Sequence, residues 1–336
     1  MANDNFHVAP TLLQLCLTDN CQLKCKHCYF GEHRRLHELN VEQTKIILNK
    51  FFELRTYFKE LGYSTDKQVS LNISGGEPLL NKDISKIITL TTPKFKHTKF
   101  MSNGLIYNKK ICTLLNMVSN GITYQISLDG MKESHEKIRG LGTFIKTTDN
   151  IKRIKDDFPS MELLISFNAN DINYKDVIPL AEYVKELGVS GIFFDRYVKT
   201  NNLSSLKVLN IDEYNSFISS ILKAHELYNS DSFKVHICRS LQPNSEYVCT
   251  ASVGNQIATS NGDRYVCSRY QIKSGNWFTD DINTLIQNTL YWESKIMNLP
   301  EECVKCDIKN RCRGGMRCLT YATTGSYNKK DIHCVR

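Results

Sequence analysis

The sequence has no uninterrupted apolar run that approaches the ~20 residues needed to cross a bilayer. Its opening, MANDNFHVAP, lacks a basic start followed by an apolar stretch. These absences exclude a membrane-spanning helix and a secretory signal, and they predict a cytoplasmic chain whose thiols stay reduced. No arginine-rich arm is present. The 43 basic and 35 acidic residues give a net charge of +8 that is spread along the chain, and the tract KFKHTKF at 94–100 is short. A solvated surface explains this excess without a nucleic-acid partner. There is no internal repeat and no low-complexity segment. Cysteine is nearly missing from the middle, where Cys112 alone falls between Cys28 and Cys238.

What is present is cysteine at both ends. Thirteen occur in all, four at positions 16 to 28 and eight from Cys238 to Cys334. In a reducing compartment this points to metal or redox chemistry before disulfides. With 336 residues and 41% hydrophobic content, the chain can bury one large core and support a smaller second unit.

From residue 11 to 198, apolar runs alternate with helical periodicity. The strands are TLLQLCL, VSLNIS, KFMS, ITYQISL, ELLISFNA and GIFFDRYV, and five have a clear helix after them. The alternation predicts a parallel sheet, open or closed into a partial (β/α)6 TIM-like barrel. The cysteine loop, SGGEP (74–78), SNG and SLDG (127–130) each follow a strand directly. In a barrel such loops share the face where chemistry occurs. Residues 1–10 form a lead-in and 199–240 a linker with a helix. Residues 241–336 are a small cysteine-rich α+β extension whose metal centres would substitute for an apolar core.

The string CQLKCKHC places Cys21, Cys25 and Cys28 within eight positions. A structural zinc site needs four ligands, and His27 lies too close to Cys28 on a tight loop to serve without strain. An iron–sulfur cube held by three cysteines keeps one iron open for a substrate or cofactor. Cys16 and Cys112 lie in apolar runs and read as core residues.

CxxxCxxC resembles the signature of the radical S-adenosylmethionine (SAM) superfamily. The resemblance implies a [4Fe–4S] cluster whose open iron is chelated by the amino and carboxylate groups of SAM. Reductive cleavage would yield a 5′-deoxyadenosyl radical that abstracts hydrogen from substrate, with a flavodoxin- or ferredoxin-like reductant supplying electrons. His27 takes the place of an aromatic residue near the adenine. Gly75, Gly76 and Glu77 of SGGEP resemble the loop that contacts the methionine amino group. Ser127 and Asp129 resemble the ribose-contacting loop, and HEKIRG (135–140) resembles an element whose arginine, here Arg139, pairs with the methionine carboxylate. Asn103 and Asn168 are weaker cofactor candidates that also suit turn capping.

The C-terminal cysteines resemble the SPASM extension, which holds two auxiliary iron–sulfur clusters. By that analogy Cys303, Cys306, Cys312 and Cys334 hold the outer cluster, and Cys249, Cys267 and Cys318 the inner one. Met316 stands where the family pattern has a cysteine. A thioether is a poor ligand beside a thiolate, so Cys318 is expected to replace it. Cys238 is a fourth inner ligand, a hydrogen-atom donor or a buried thiol; alternatively the inner cluster keeps an open iron. SPASM enzymes mostly modify peptides and proteins. This implies crosslinking or epimerisation of a ribosomally made peptide, held by the barrel or by a separate leader-binding protein, since about ten residues precede the first strand. Formylglycine formation, as in sulfatase maturation, is the alternative, although Ser268 stands where that group has an aspartate. A non-catalytic electron-transfer module is the alternative of another class.

Overall fold

A computed structural model describes residues 7–29, 37–118, 120–199, 204–237, 249, 251–269 and 272–336. Its strands are β1 (Leu12–Cys16), β2 (Ser70–Ser74), β3 (His97–Ser102), β4 (Gly121–Ser127), β5 (Leu163–Ala169), β6 (Gly191–Arg196), β7 (Lys234–Ile237), β8 (Asn255–Ala258), β9 (Asp263–Tyr265) and β10 (Lys273–Asn276). The helices are α1 (Val41–Glu60), α2 (Ile84–Thr91), α3 (Lys109–Asn116), α4 (Lys132–Arg139), α5 (Thr143–Asp157), α6 (Val177–Glu186), α7 (Ile211–Tyr228), α8 (Ile282–Met297), α9 (Lys309–Cys312) and α10 (Arg317–Thr324). None is long and apolar enough to cross a membrane among the described residues.

The strands form a single sheet in the order β10-β9-β8-β1-β2-β3-β4-β5-β6-β7. From β8 through β7 every pairing is parallel. The six strands read from sequence are all present. Two further parallel strands extend them, β7 beside β6 and β8 beside β1. The segment 199–240 therefore contributes a strand as well as its helix. KVHI and NQIA are four residues each and mix polar with apolar positions. Too short to show an apolar run, they become strands because β6 and β1 offer open edges. The extension shares this sheet, with β9 and β10 pairing antiparallel beyond β8.

Side chains alternate across each strand. Leu13, Leu15, Leu71, Ile73, Phe100, Tyr124, Ile126, Ile165, Phe167, Ile192 and Phe194 face the helices and form the main core. The opposite face mixes Gln14, Asn72, Lys99, Gln125, Ser166 and Asp195 with the apolar Met101, Leu164 and Phe193. Helix α1 begins in a capping box, where the Asn40 side chain accepts from Gln43 and Gln43 reaches back. It buries Ile47, Leu48, Phe51, Leu54 and Phe58 at helical spacing. Because β1 through β6 run parallel, the loops after them collect at one end.

Candidate functional site

The chain leaves β1 and runs against the SGGEP loop. Gly76 N–H donates to Thr18 O at 2.7 Å and Glu77 N–H to Asn20 O at 2.7 Å. A Cβ on Gly76 would lie 2.3 Å from Asn20 O, and one on Gly75 2.7 Å from Thr18 O. The two glycines thus admit the cysteine loop itself. That loop turns where Cys28 N–H bonds Cys25 O at 3.0 Å and is tied to α4 by Lys26 N–H to Ile138 O at 3.0 Å. Donors point at its sulfurs: Leu23 N–H and Asn103 Nδ2 each lie 3.5 Å from Cys21 Sγ, and an Arg139 terminal nitrogen lies 3.8 Å from Cys25 Sγ. Burial pushes the Cys25 thiol up to about 11 against the pull of Arg139, with Cys28 and Cys21 in electrostatic reach.

Glu77 is fully buried. It accepts from Ser102 Oγ at 3.0 and 3.1 Å, Asn103 N–H at 2.9 Å and Leu79 N–H at 3.2 Å. Burial outweighs these donors and holds its carboxyl up at about 7. The carboxylate thus joins the ends of β2 and β3 and positions Asn103 against the cysteine loop.

Asp129 is the second buried acid. Arg139 Nε donates to it at 2.6 Å and Asn168 N–H at 3.0 Å, while its own N–H donates to His135 Nδ1 at 3.1 Å. Burial raises its carboxyl, but Arg139, His27 and His135 overcome this and hold it below the usual carboxylate range. Arg139 is therefore engaged by Asp129, with its outer nitrogens toward Cys25 and His27. Burial, opposed by Asp129, takes His27 down to about 4, so its imidazole is neutral. Ser127 ends β4, half-buried and in register with Ser166. The structure thus gathers His27, Asn103, Asp129 and Arg139 beside Cys21 and Cys25.

The C-terminal cysteines fall into two groups. Cys318 hydrogen-bonds with Cys267, and Cys249 is within electrostatic reach of both. Cys334, Cys312 and Cys306 lie within electrostatic reach of Cys303, whose thiol is pushed up by burial. Met316 is buried against Val198, Leu319 and Cys318, with Cys267 packed on that cluster. It serves as an apolar wedge, and Cys318 is the residue that meets Cys267. Cys238 lies outside the described residues. Sequence reading missed the residues that dock this region. Asp331 receives Arg196 in a two-pronged pair at 3.0 and 2.9 Å and Met316 N–H at 2.9 Å. Arg269, whose N–H lies 3.4 Å from Cys267 Sγ, pairs with Asp195. The partners stand so far apart in sequence that no local pattern announces them.

The Radical SAM superfamily profile matches residues 15–184, half of the chain. The chain belongs to the radical SAM superfamily. Mycofactocin maturase MftC of Mycobacterium tuberculosis is 30% identical over 98% of this chain and 83% of its own length. The subtilosin biosynthesis protein AlbA of Bacillus subtilis is 23% identical over 94% of this chain and 69% of its own. The AdoMet-dependent heme synthase of Methanosarcina barkeri is 24% identical over 97% of each. Among solved structures, Streptococcus suis SuiB bound to precursor peptide SuiA superimposes with a TM-score of 0.74 at 17% identity, covering 99% of this chain and 77% of that one. Native anSMEcpe with bound AdoMet gives 0.75 at 19%, covering 97% and 94%.

Radical SAM membership makes the protein an enzyme that uses a [4Fe–4S] cluster and SAM, which removes the electron-carrier alternative. The residues fit such a pair. Among the described residues no three His, Cys, Asp or Glu groups converge as ligands of a single metal ion; a cube spreads its cysteines over separate irons. His27 Nδ1 and Asn168 Oδ1 are buried without a hydrogen-bond partner among the described residues. A polar cofactor at this end of the sheet would satisfy both.

Proposed function

We propose that this radical SAM enzyme modifies a ribosomally made peptide by hydrogen abstraction, forming a crosslink or an epimerised residue. The observation that carries the reading is the sheet's linear strand order, with β7 and β10 at its two ends. Among the described residues the sheet does not close into a ring, and in this reading an extended chain reaches its inner face from the side, toward the cysteine loop. The maturase relatives and the peptide held by SuiB support the same substrate class. Ser268 after Cys267 speaks against formylglycine formation.

In this reading Cys21, Cys25 and Cys28 hold the cluster. When bound and reduced, that cluster supplies the electron that cleaves SAM to the 5′-deoxyadenosyl radical. Asn103 and Arg139 place N–H donors on the ligand sulfurs, which tune a cluster's potential. Neutral His27 offers Nδ1 to the cofactor, and Glu77 fixes the loop that presents Asn103. Cys249, Cys267 and Cys318 hold an inner auxiliary cluster, and Cys303, Cys306, Cys312 and Cys334 an outer one. A flavodoxin- or ferredoxin-like protein supplies electrons, and the precursor is held by the barrel or by a separate leader-binding protein.

The test uses protein purified and reconstituted without oxygen, then given dithionite and SAM. 5′-Deoxyadenosine should form, and the joint change of Cys21, Cys25 and Cys28 to Ala should abolish it. With a small precursor peptide encoded beside the gene, mass spectrometry should show loss of a hydrogen pair, or deuterium uptake from heavy water. An unmodified peptide in the presence of abundant 5′-deoxyadenosine would sink the peptide reading.

A further inference from the structure

A depression of about 390 Å³ lies between the cysteine loop and the C-terminal end of α4. Its lining comes from loops and from α4, and among the described residues no strand contributes to it. Two lining residues reach the thiols of the loop. Leu23 N–H lies 3.5 Å from Cys21 Sγ, and an Arg139 terminal nitrogen lies 3.8 Å from Cys25 Sγ. Lys26 N–H to Ile138 O at 3.0 Å ties the two walls together. A single layer of residues therefore separates this opening from two of the three loop sulfurs.

The rim is basic. Lys24, Lys26 and Lys137 are all exposed, and Glu136 is the one acid among the lining residues. Lys137 shares its charge with Glu133 at 2.6 Å, whereas Lys24 and Lys26 form no ion pair among the described residues. Leu141 stands at the same opening and is 92% exposed. It is flanked by Gly140 and Gly142, whose φ of 111° and 75° favour glycine. An uncovered apolar side chain with a charged rim is the make-up of a small transient interface, and redox encounters bury less than ~1,200 Å². Surface charge of one sign speeds the encounter with a partner of the other. We propose that this depression is the docking surface for the electron carrier, an acidic flavodoxin- or ferredoxin-like protein. This rests on the reading that the cysteine loop holds a cluster reduced by such a carrier. One electron leaves the docked carrier, which is oxidised by one, and enters the cluster, which is reduced by one. Electron transfer slows steeply with distance, and here the wall of the docking surface touches the cluster's own ligands. The peptide, which in the reading above lies along the inner face of the sheet, would not compete for it.

The experiment uses the reconstituted protein and an acidic flavodoxin reduced by NADPH through its reductase. It compares wild type with the triple variant Lys24→Gln, Lys26→Gln, Lys137→Gln, with the matching arginine triple, and with Leu141→Asp. Nuclear magnetic resonance titration of labelled flavodoxin gives Kd, and 5′-deoxyadenosine formation is followed with flavodoxin and, separately, with dithionite. The glutamine triple should raise both the Kd and the KM for flavodoxin about tenfold and flatten their dependence on salt. Its dithionite-driven rate should stay that of wild type, and the arginine triple should restore flavodoxin binding. Leu141→Asp should weaken binding about tenfold, because a like charge then faces the acidic carrier. Unchanged Kd and unchanged flavodoxin-driven rate in the glutamine triple overturn the proposal. If that triple loses iron, Leu141→Asp decides: full iron with weakened flavodoxin binding supports the surface, and unchanged binding overturns it. Variants that raise the KM for the precursor peptide under dithionite, yet bind flavodoxin as wild type does, assign the surface to the peptide and overturn the proposal too. Wild type that cleaves SAM with dithionite but accepts electrons from neither flavodoxin nor ferredoxin sinks the underlying carrier reading instead.

Discussion

Replacing Gly76 by alanine adds one methyl group where two backbones meet. The new Cβ would lie 2.3 Å from Asn20 O and 2.8 Å from Asp19 O. Both contacts are main chain, so no side chain can swing away. Either the cysteine loop or the SGGEP loop must retreat, and the bonds Gly76 N–H to Thr18 O and Glu77 N–H to Asn20 O go with it. Two such bonds contribute ~2 kcal/mol, and forced overpacking costs another ~1–3 kcal/mol. Alanine returns ~0.4–1 kcal/mol by restricting the unfolded chain, which leaves a net loss of ~2–5 kcal/mol. The φ of Gly76 lies outside the left-handed region, so the effect is steric. Urea unfolding of the reconstituted protein reads the loss. Iron content and 5′-deoxyadenosine formation read the displaced Cys21 and Cys25. A variant within ~0.5 kcal/mol of wild type, near the usual scatter of surface substitutions, with full iron and normal cleavage would refute the packing argument.

Removing Arg139 strands a buried carboxylate, so Arg139→Gln should cost ~3–5 kcal/mol. Adding Asp129→Asn should then cost less than the two single losses together, and urea melts showing simple additivity would refute the pair. For Glu77, whose carboxyl stands at about 7 against an ordinary 4.5, native and unfolded chains are both protonated below pH 4.5. Between those values the unfolded chain ionises first, so stability should fall as pH rises through the window by up to ~3 kcal/mol and level off above it. Glu77→Gln should flatten that segment of the pH–stability curve; an unchanged slope counts against it. Cys318→Ala should lower auxiliary iron. Met316→Leu should keep it, at a cost under ~1.5 kcal/mol; iron lost with Met316→Leu would make the thioether a ligand after all.

Much of the site was legible because its signals are local. The CxxxCxxC spacing, the glycines of SGGEP and the apolar strands each lie within a few residues. Glu77, Asp129 and Arg139 were singled out from short motifs, yet their partners were not foreseen. Glu77 is held by Ser102 and Asn103 across a neighbouring strand, and Arg139 first meets Asp129. Strands β7 and β8 escaped notice because they are defined by the edges they join.

The sequence by itself determined the number and spacing of the thiols, the alternation that builds a parallel sheet, and hence the face where the loops gather. These follow from composition and periodicity along one stretch of chain. Only the tertiary structure decided which charges meet. Arg196 finds Asp331 and Arg269 finds Asp195, while Arg317 is held by the main-chain carbonyls of Asn298, Tyr327 and Lys329. It also assigned Met316 to the apolar cluster and Cys318 to Cys267. Such choices depend on burial, because a charge or a thiol is costly only once water is excluded, and water is excluded by segments far apart in the chain.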